Sequence, residues 1–338
     1  MTTYTEGTPE RGLQKLAVKY GGAAAIMLAN TTVVQVTIMV IIGTIFGLIP
    51  GGPELLDPKT DIGFIFKLAL NEIAAYTVPM ITMYALFYRE LKFEKTIYES
   101  EMRYDRFFGE TALLFVTGLG VSTALSIATS FISSFLNTVL GIPETKVAFN
   151  SMMPRDLVTY TAFGIVLCIV GPVCEEIIYR HILLRPLRRY GDMTAALVTA
   201  LFFGLSHFNF DQFLYTFSFG FFLAVITLRS GTVIPAVICH MLNNLAAGVQ
   251  TYQPESLGNA ELEGVLKSMA EIFTAANGIF VLGGILLIII VILTHLLRLK
   301  NRSGIPASKQ LAIVFSNPLL LVCIAVSLVV TFIDLYIA

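Results

Sequence analysis

Two adjacent carboxylates, Glu175 and Glu176, followed by Arg180 inside an otherwise apolar stretch, are the residues of this chain best suited to chemistry. An acid at the centre of a bilayer costs from ~3 kcal/mol upward, so ionisable groups there face polar cavities and act in them. On a helix Glu176 and Arg180 stand at i and i+4 on one face, with the glutamate on the favoured N-terminal side. Arg180 can therefore neutralise Glu176 where an unpaired charge would not survive. Glu175 is turned by about 100° from Glu176 and has Tyr179 at i+4. The pair thus divides into a braced carboxylate and a freer one, and the freer one, Glu175, is the candidate general base. The plainer alternative is that both acids only tie the bundle together.

Two further polar pairs lie on nearby apolar stretches: Phe203 with His207, and His240 with Asn244, each at i and i+4. Histidine donates, accepts or binds metal near neutral pH. An asparagine amide is a donor of the kind that stabilises a developing oxyanion. Singly, either histidine reads as an interhelical hydrogen-bonder. Taken with Glu175, the pairs read as a water-activating site buried in a membrane protein.

The elements that must position these residues are apolar segments. Of 338 residues 56% are hydrophobic and 13% charged, and mean hydropathy is +0.78; soluble domains carry roughly 25% charge. Since about 20 apolar residues cross the hydrocarbon as a helix, nine segments are expected, near 21–48, 63–87, 108–140, 157–184, 193–208, 212–228, 232–249, 272–297 and 311–335. The expected fold class is an all-α, polytopic transmembrane bundle of about eight to nine spans. Cytoplasmic loops carry the excess of lysine and arginine. With the N-terminus cytoplasmic, sixteen such residues fall inside and four outside, namely Lys59, Lys146, Arg155 and Lys267. The polar start Met1–Lys19 lacks a short apolar signal core, so the first span is expected to be retained.

Counting at 1.5 Å per residue from the basic loops, Glu175 and His240 come out at similar depths, ~15 and ~14 Å, and His207 deeper at ~21 Å. That segment must tilt or start late. Pro172 and Pro235 precede Glu175 and His240, and a proline kink frees carbonyls that prefer a wet cavity. A net charge of −1 gives no nucleic-acid footprint. Cys168, Cys174, Cys239 and Cys323 are widely spaced in apolar runs and read as small apolar residues. Arg185, Arg188 and Arg189 read as lipid anchors. Asn30, Gln35 and Asn71 read as interhelical hydrogen-bonders, and Glu72 as a partner of Lys67. Arg302–Ser308 and Tyr252–Gly258 read as loops, and the mixed-sign stretch Arg89–Arg106 as a solvated helix extension.

The run GPVCEEIIYRHILLRPLRR (171–189) resembles the EExxxR motif of the CAAX-protease and bacteriocin-processing family, also called Abi or type II CAAX prenyl endopeptidases. FFGLSHF (202–208) resembles its FxxxH motif, and SGTVIPAVICHMLNN (230–244) its HxxxN motif. The resemblance covers about 157–250, which divides the chain into N-terminal helices with an inner loop (1–150), a protease-like core (151–250) and C-terminal helices (251–338). It implies an intramembrane endopeptidase with a chamber open to the cytosol. Glu175 would activate water with help from His207, His240 and Asn244 would hold the oxyanion, and Glu176 with Arg180 would orient the site. Glu175, His207 and His240 could instead ligate zinc with water in the fourth position. There is no HExxH helix, however, and Asn244 is a poor zinc ligand, so catalysis without a cofactor is the favoured reading.

The expected partners are the lipid bilayer and a peptide or membrane-protein substrate, in a bacterial plasma membrane and without nucleic acid. Two rivals stand beside this. One is a proton-coupled transporter, whose signs would be inverted repeats and paired broken helices. The other is a non-catalytic scaffold or immunity protein of the same fold.

Overall fold

The computed structural model describes residues 8–93, 100–141, 154, 156–251 and 260–337. The expected loop Tyr252–Gly258 and the charges Lys95, Lys146 and Arg155 fall outside the described residues. Among those described the chain is helical throughout, with one isolated β-bridge, Gly191 to Asn301. In hydrocarbon every backbone polar group must be satisfied within its own segment, and the apolar runs can do that only as helices.

The helices are α1 (Pro9–Ala29), α2 (Gln35–Gly47), α3 (Gly52–Leu56), α4 (Asp61–Glu72), α5 (Val78–Phe93), α6 (Phe107–Leu140), α7 (Leu157–Ile165), α8 (Gly171–Glu176), α9 (Leu184–Arg188), α10 (Asp192–Leu205), α11 (Phe210–Ser230), α12 (Ile234–Thr251), α13 (Ala260–Leu293), α14 (Ala307–Phe315) and α15 (Pro318–Ile337). All nine expected segments are helical. Among the described residues six helices are long and apolar enough to cross a membrane, or seven if α14 and α15, bent by 82°, form one broken span. The count is below the expected eight to nine because α10, with 14 residues, is too short and α12 falls outside the set. Outward faces are apolar, with Val40, Phe131, Ile279 and Leu286 exposed, as suits helices against lipid.

Two clusters make the interior. One joins α1, α5, α9 and α10 through Tyr20, Phe87, Leu187 and Phe202; the Tyr20 hydroxyl donates to the Leu183 carbonyl across it. The other joins α6, α11 and α13 through Leu114, Phe219, Leu223 and Val291. Helices α6 and α13 cross at Gly120 and Gly284, where a Cβ on Gly120 would meet the Gly284 Cα at 2.5 Å. Small residues permit such close crossings in membranes.

The loops read as basic and inner meet at one end of the bundle. Arg302 grips the buried Asp192 with Nε and Nη2 at 3.0 and 3.1 Å, and Lys300 reaches Glu101 at 3.1 Å. Arg188 is buried here, 3.5 Å from Asp192 and donating to the Leu228 carbonyl at 2.9 Å. Arg185 is buried too and contacts His181 at 3.3 Å. These two are internal ties rather than lipid anchors; Arg189 alone of the three is exposed, over the Tyr190 ring.

Among the described residues the α-helical ladder widens to π-helix in four places: Asn30–Val34, Ile73–Thr77, Val166–Val170 and Ile177–Leu183. Such bulges interrupt regular pairing and recur at functional sites. Two have a visible cause. Pro79 has no N–H to give the Ala75 carbonyl four residues back. Around Pro172, Gly171 bonds to the Val166 carbonyl, five residues back, so neither residue serves Leu167.

Candidate active site

All four widened turns border one cavity or its supports. The cavity, about 160 Å³, is lined by Asn30, Thr31, Tyr76, Glu175, Ser206 and His207 among others. That is room for several waters in a polar setting.

The two glutamates differ as their spacing predicts. Glu176 is fully buried, and its Oε2 lies 3.1 Å from Arg180 Nε, an i,i+4 ion pair with neither side chain exposed. Arg180 is held further by Nη2 donating to the Gly220 carbonyl at 3.0 Å and by the Phe203 ring, 4.8 Å from its guanidinium carbon. Gly220 makes this approach possible, since a Cβ there would sit 2.7 Å from the Phe203 ring and 3.3 Å from Arg180. Glu175 keeps 18% of its side chain exposed. Although free of partners on its own helix, it accepts a hydrogen bond from the Tyr76 hydroxyl at 2.8 Å.

His240 joins the two acids. Its Nδ1 is 2.9 Å from Glu176 Oε1 and its Nε2 is 3.5 Å from Glu175 Oε2. Only the imidazolium can donate to both carboxylates at once. Phe203 and Phe219 pack edge-on against the ring with centroids at 5.6 and 5.8 Å. The imidazole, set between two carboxylates and walled by aromatic rings, holds both acids in register.

His207 sits differently from its expected place. Helix α10 ends at Leu205, so FxxxH straddles a helix end, and Phe208 follows with φ +47°. The early end takes His207 off the straight helical count used for its expected depth. The rings of Phe203 and His207 still meet, 4.9 Å apart, and His207 Nδ1 pairs with the Phe203 carbonyl at 2.8 Å. A carbonyl can only accept, so Nδ1 carries a proton; in the neutral ring this leaves the Nε2 lone pair on a residue that lines the cavity.

Asn244 is also placed differently. Its Nδ2 donates to the Leu167 carbonyl at 2.9 Å, the group that Pro172 leaves without a helix bond, and Asn243 donates to its Oδ1 at 3.3 Å. The amide is thus committed first to closing the widened turn, with one Nδ2 hydrogen remaining. Glu175, His207 and His240 do not form a group that could hold a metal ion among the described residues. All four cysteines are free thiols.

Two residues of this site are invisible to the motifs. Tyr76 lies 99 positions from Glu175. Asn30 lies on α1's extension, its Nδ2 donating at 3.2 Å to the Ala75 carbonyl left open by Pro79. The available signals were a polar amide and a proline in apolar spans. Glu72, one turn before Tyr76, makes no ion pair with Lys67; it lies within electrostatic range of Glu175 instead.

Residues 157–246 match the family described as type II CAAX prenyl endopeptidase Rce1-like. A Bacillus subtilis (strain 168) protein named "Putative membrane peptidase YdiL" is 26% identical over 144 residues, 40% of this chain and 59% of that protein. The alignment therefore spans about three-fifths of that relative. No solved structure matches the chain.

Proposed function

We propose that the chain is a multi-pass membrane endopeptidase of the CAAX-protease kind that its residues 157–246 resemble, cleaving peptide bonds with water activated by Glu175. The observation carrying this reading is the asymmetry of the glutamates. Glu176 is sealed by Arg180 and His240, while its neighbour faces a cavity that His207 also lines.

In the proposed reaction a water between Glu175 and His207 gives up a proton to the Glu175 carboxylate and attacks the scissile carbonyl carbon. His207, through its unprotonated Nε2, orients that water. His240 offers an Nε2–H toward the oxyanion, and the remaining Asn244 amide hydrogen assists. Glu175 then returns the proton to the leaving amine, so the chain ends as it began. Ser206 and Cys174 take no part as nucleophiles; the Ser206 hydroxyl bonds to the Phe203 carbonyl at 2.8 Å. The substrate class is a peptide precursor or membrane protein in a bacterial plasma membrane, and no metal is required.

The test is cleavage of a quenched-fluorescence peptide library by the full chain in detergent. Glu175→Gln should abolish turnover while the variant keeps the wild-type melting temperature. Undiminished cleavage by Glu175→Gln would remove the proposed mechanism.

A further inference from the structure

The cavity lined by Glu175 and His207 is lined also by N-terminal elements beyond the family match, which carry Asn30, Thr31 and Gln35 in spans that are otherwise apolar. Asn30 is the most constrained of them. It is 3% exposed, and its Nδ2 is fixed to the Ala75 carbonyl, so the amide cannot flip without losing that bond. The orientation leaves Oδ1 buried with no donor among the described residues. A buried acceptor left unpaired is expensive, and such groups in native proteins call for a donor from elsewhere. The neighbouring Thr31 hydroxyl is spent on the Met27 carbonyl at 3.2 Å, and so cannot serve.

We infer that Asn30 Oδ1 is a substrate-binding acceptor that takes a backbone N–H of an extended peptide lying in the cavity that Glu175 also lines. An extended strand presents N–H and C=O groups alternately to either side. One N–H on Asn30 would fix the strand's register, placing a carbonyl toward the water-activating side. An amide acceptor reads main chain and not side chain, so this subsite gives register without demanding a particular residue. The pieces form a relay: Pro79 frees Ala75, Ala75 orients Asn30, and Asn30 meets the substrate.

This inference rests on the peptide-bond reading of the same cavity, so the experiment separates the two by measuring binding without turnover. A fluorescein-labelled peptide, chosen because the wild type cleaves its unlabelled form, is titrated into the full-length Glu175→Gln protein in detergent. Each peptide amide is then replaced in turn by an ester, which removes one N–H. One ester position should weaken binding roughly tenfold, about one hydrogen bond. Asn30→Leu in the same background should weaken the all-amide peptide to the same extent and leave the ester peptide no weaker. Equal losses on amide and ester peptides would reduce Asn30 to a structural role and overturn the inference. Should Asn30→Leu not fold, Asn30→Asp keeps an acceptor and must preserve the ester penalty; an ester scan without any sensitive position overturns the inference outright. A failure of the protein to cleave any peptide removes the parent reading first, and is seen before the titration begins.

Discussion

The matched core and the N-terminal helices both line one cavity, and they differ in what they bring to it. The core lines it with the ionisable Glu175 and His207, and backs Glu175 with His240, Glu176 and Arg180. The N-terminal side supplies a phenol, two amides and a hydroxyl, from Tyr76, Asn30, Gln35 and Thr31. Packing differs in parallel. Helix α11 is buried along most of its length, whereas α2 has no buried residue at all. Charges need enclosure by partners that hold them, and the densest part of the bundle provides it. Neutral polar groups tolerate a looser, lipid-facing frame. The division suggests chemistry on the rigid side and substrate handling on the other.

That comparison can be broken at several points. Glu175→Gln should lower kcat/KM by about 10²- to 10⁴-fold, the range of a general base, with the melting temperature unmoved; an equal loss of stability would assign it to structure instead. Arg180→Leu should act the other way, on stability first. It strands a buried carboxylate, so unfolding in detergent should become easier by about 3–5 kcal/mol. Adding Glu176→Leu should recover much of that loss, and a lack of recovery would mean that Arg180 is held by Gly220 and Phe203 more than by its acid.

Smaller effects test the N-terminal side. Tyr76→Phe removes one hydrogen bond from Glu175 and should cut kcat roughly tenfold with KM unchanged; a change in KM alone would make it a substrate contact. Pro79→Ala gives Ala75 a backbone donor that competes with Asn30, and activity should fall by roughly a few-fold. Chelation with EDTA should leave the rate where it was, and inhibition reversed by zinc would return Glu175, His207 and His240 to the role of ligands.

Much of the fold was legible because the hydrocarbon leaves apolar runs only one option. The number of crossing helices was less so: α10 stops at Leu205, where the chain turns through Phe208 and Asn209 caps α11 by accepting from Gln212 at 3.0 Å. The motif residues were legible by type. Their contacts were legible only where both partners share a helix, as in the Glu176–Arg180 pair at i,i+4.

By itself, then, the sequence determined the apolar helices, the braced and the freer glutamate, and the residue types of the proposed site. Tertiary structure decided that Tyr76 rather than a neighbour on its own helix meets Glu175, and that His240 bridges both acids. It likewise decided that Asn244 and Asn30 answer the carbonyls that two prolines release. The reason is range: helical periodicity fixes neighbours three or four residues apart, whereas a contact across 99 residues depends on how whole helices pack and where their ladders widen.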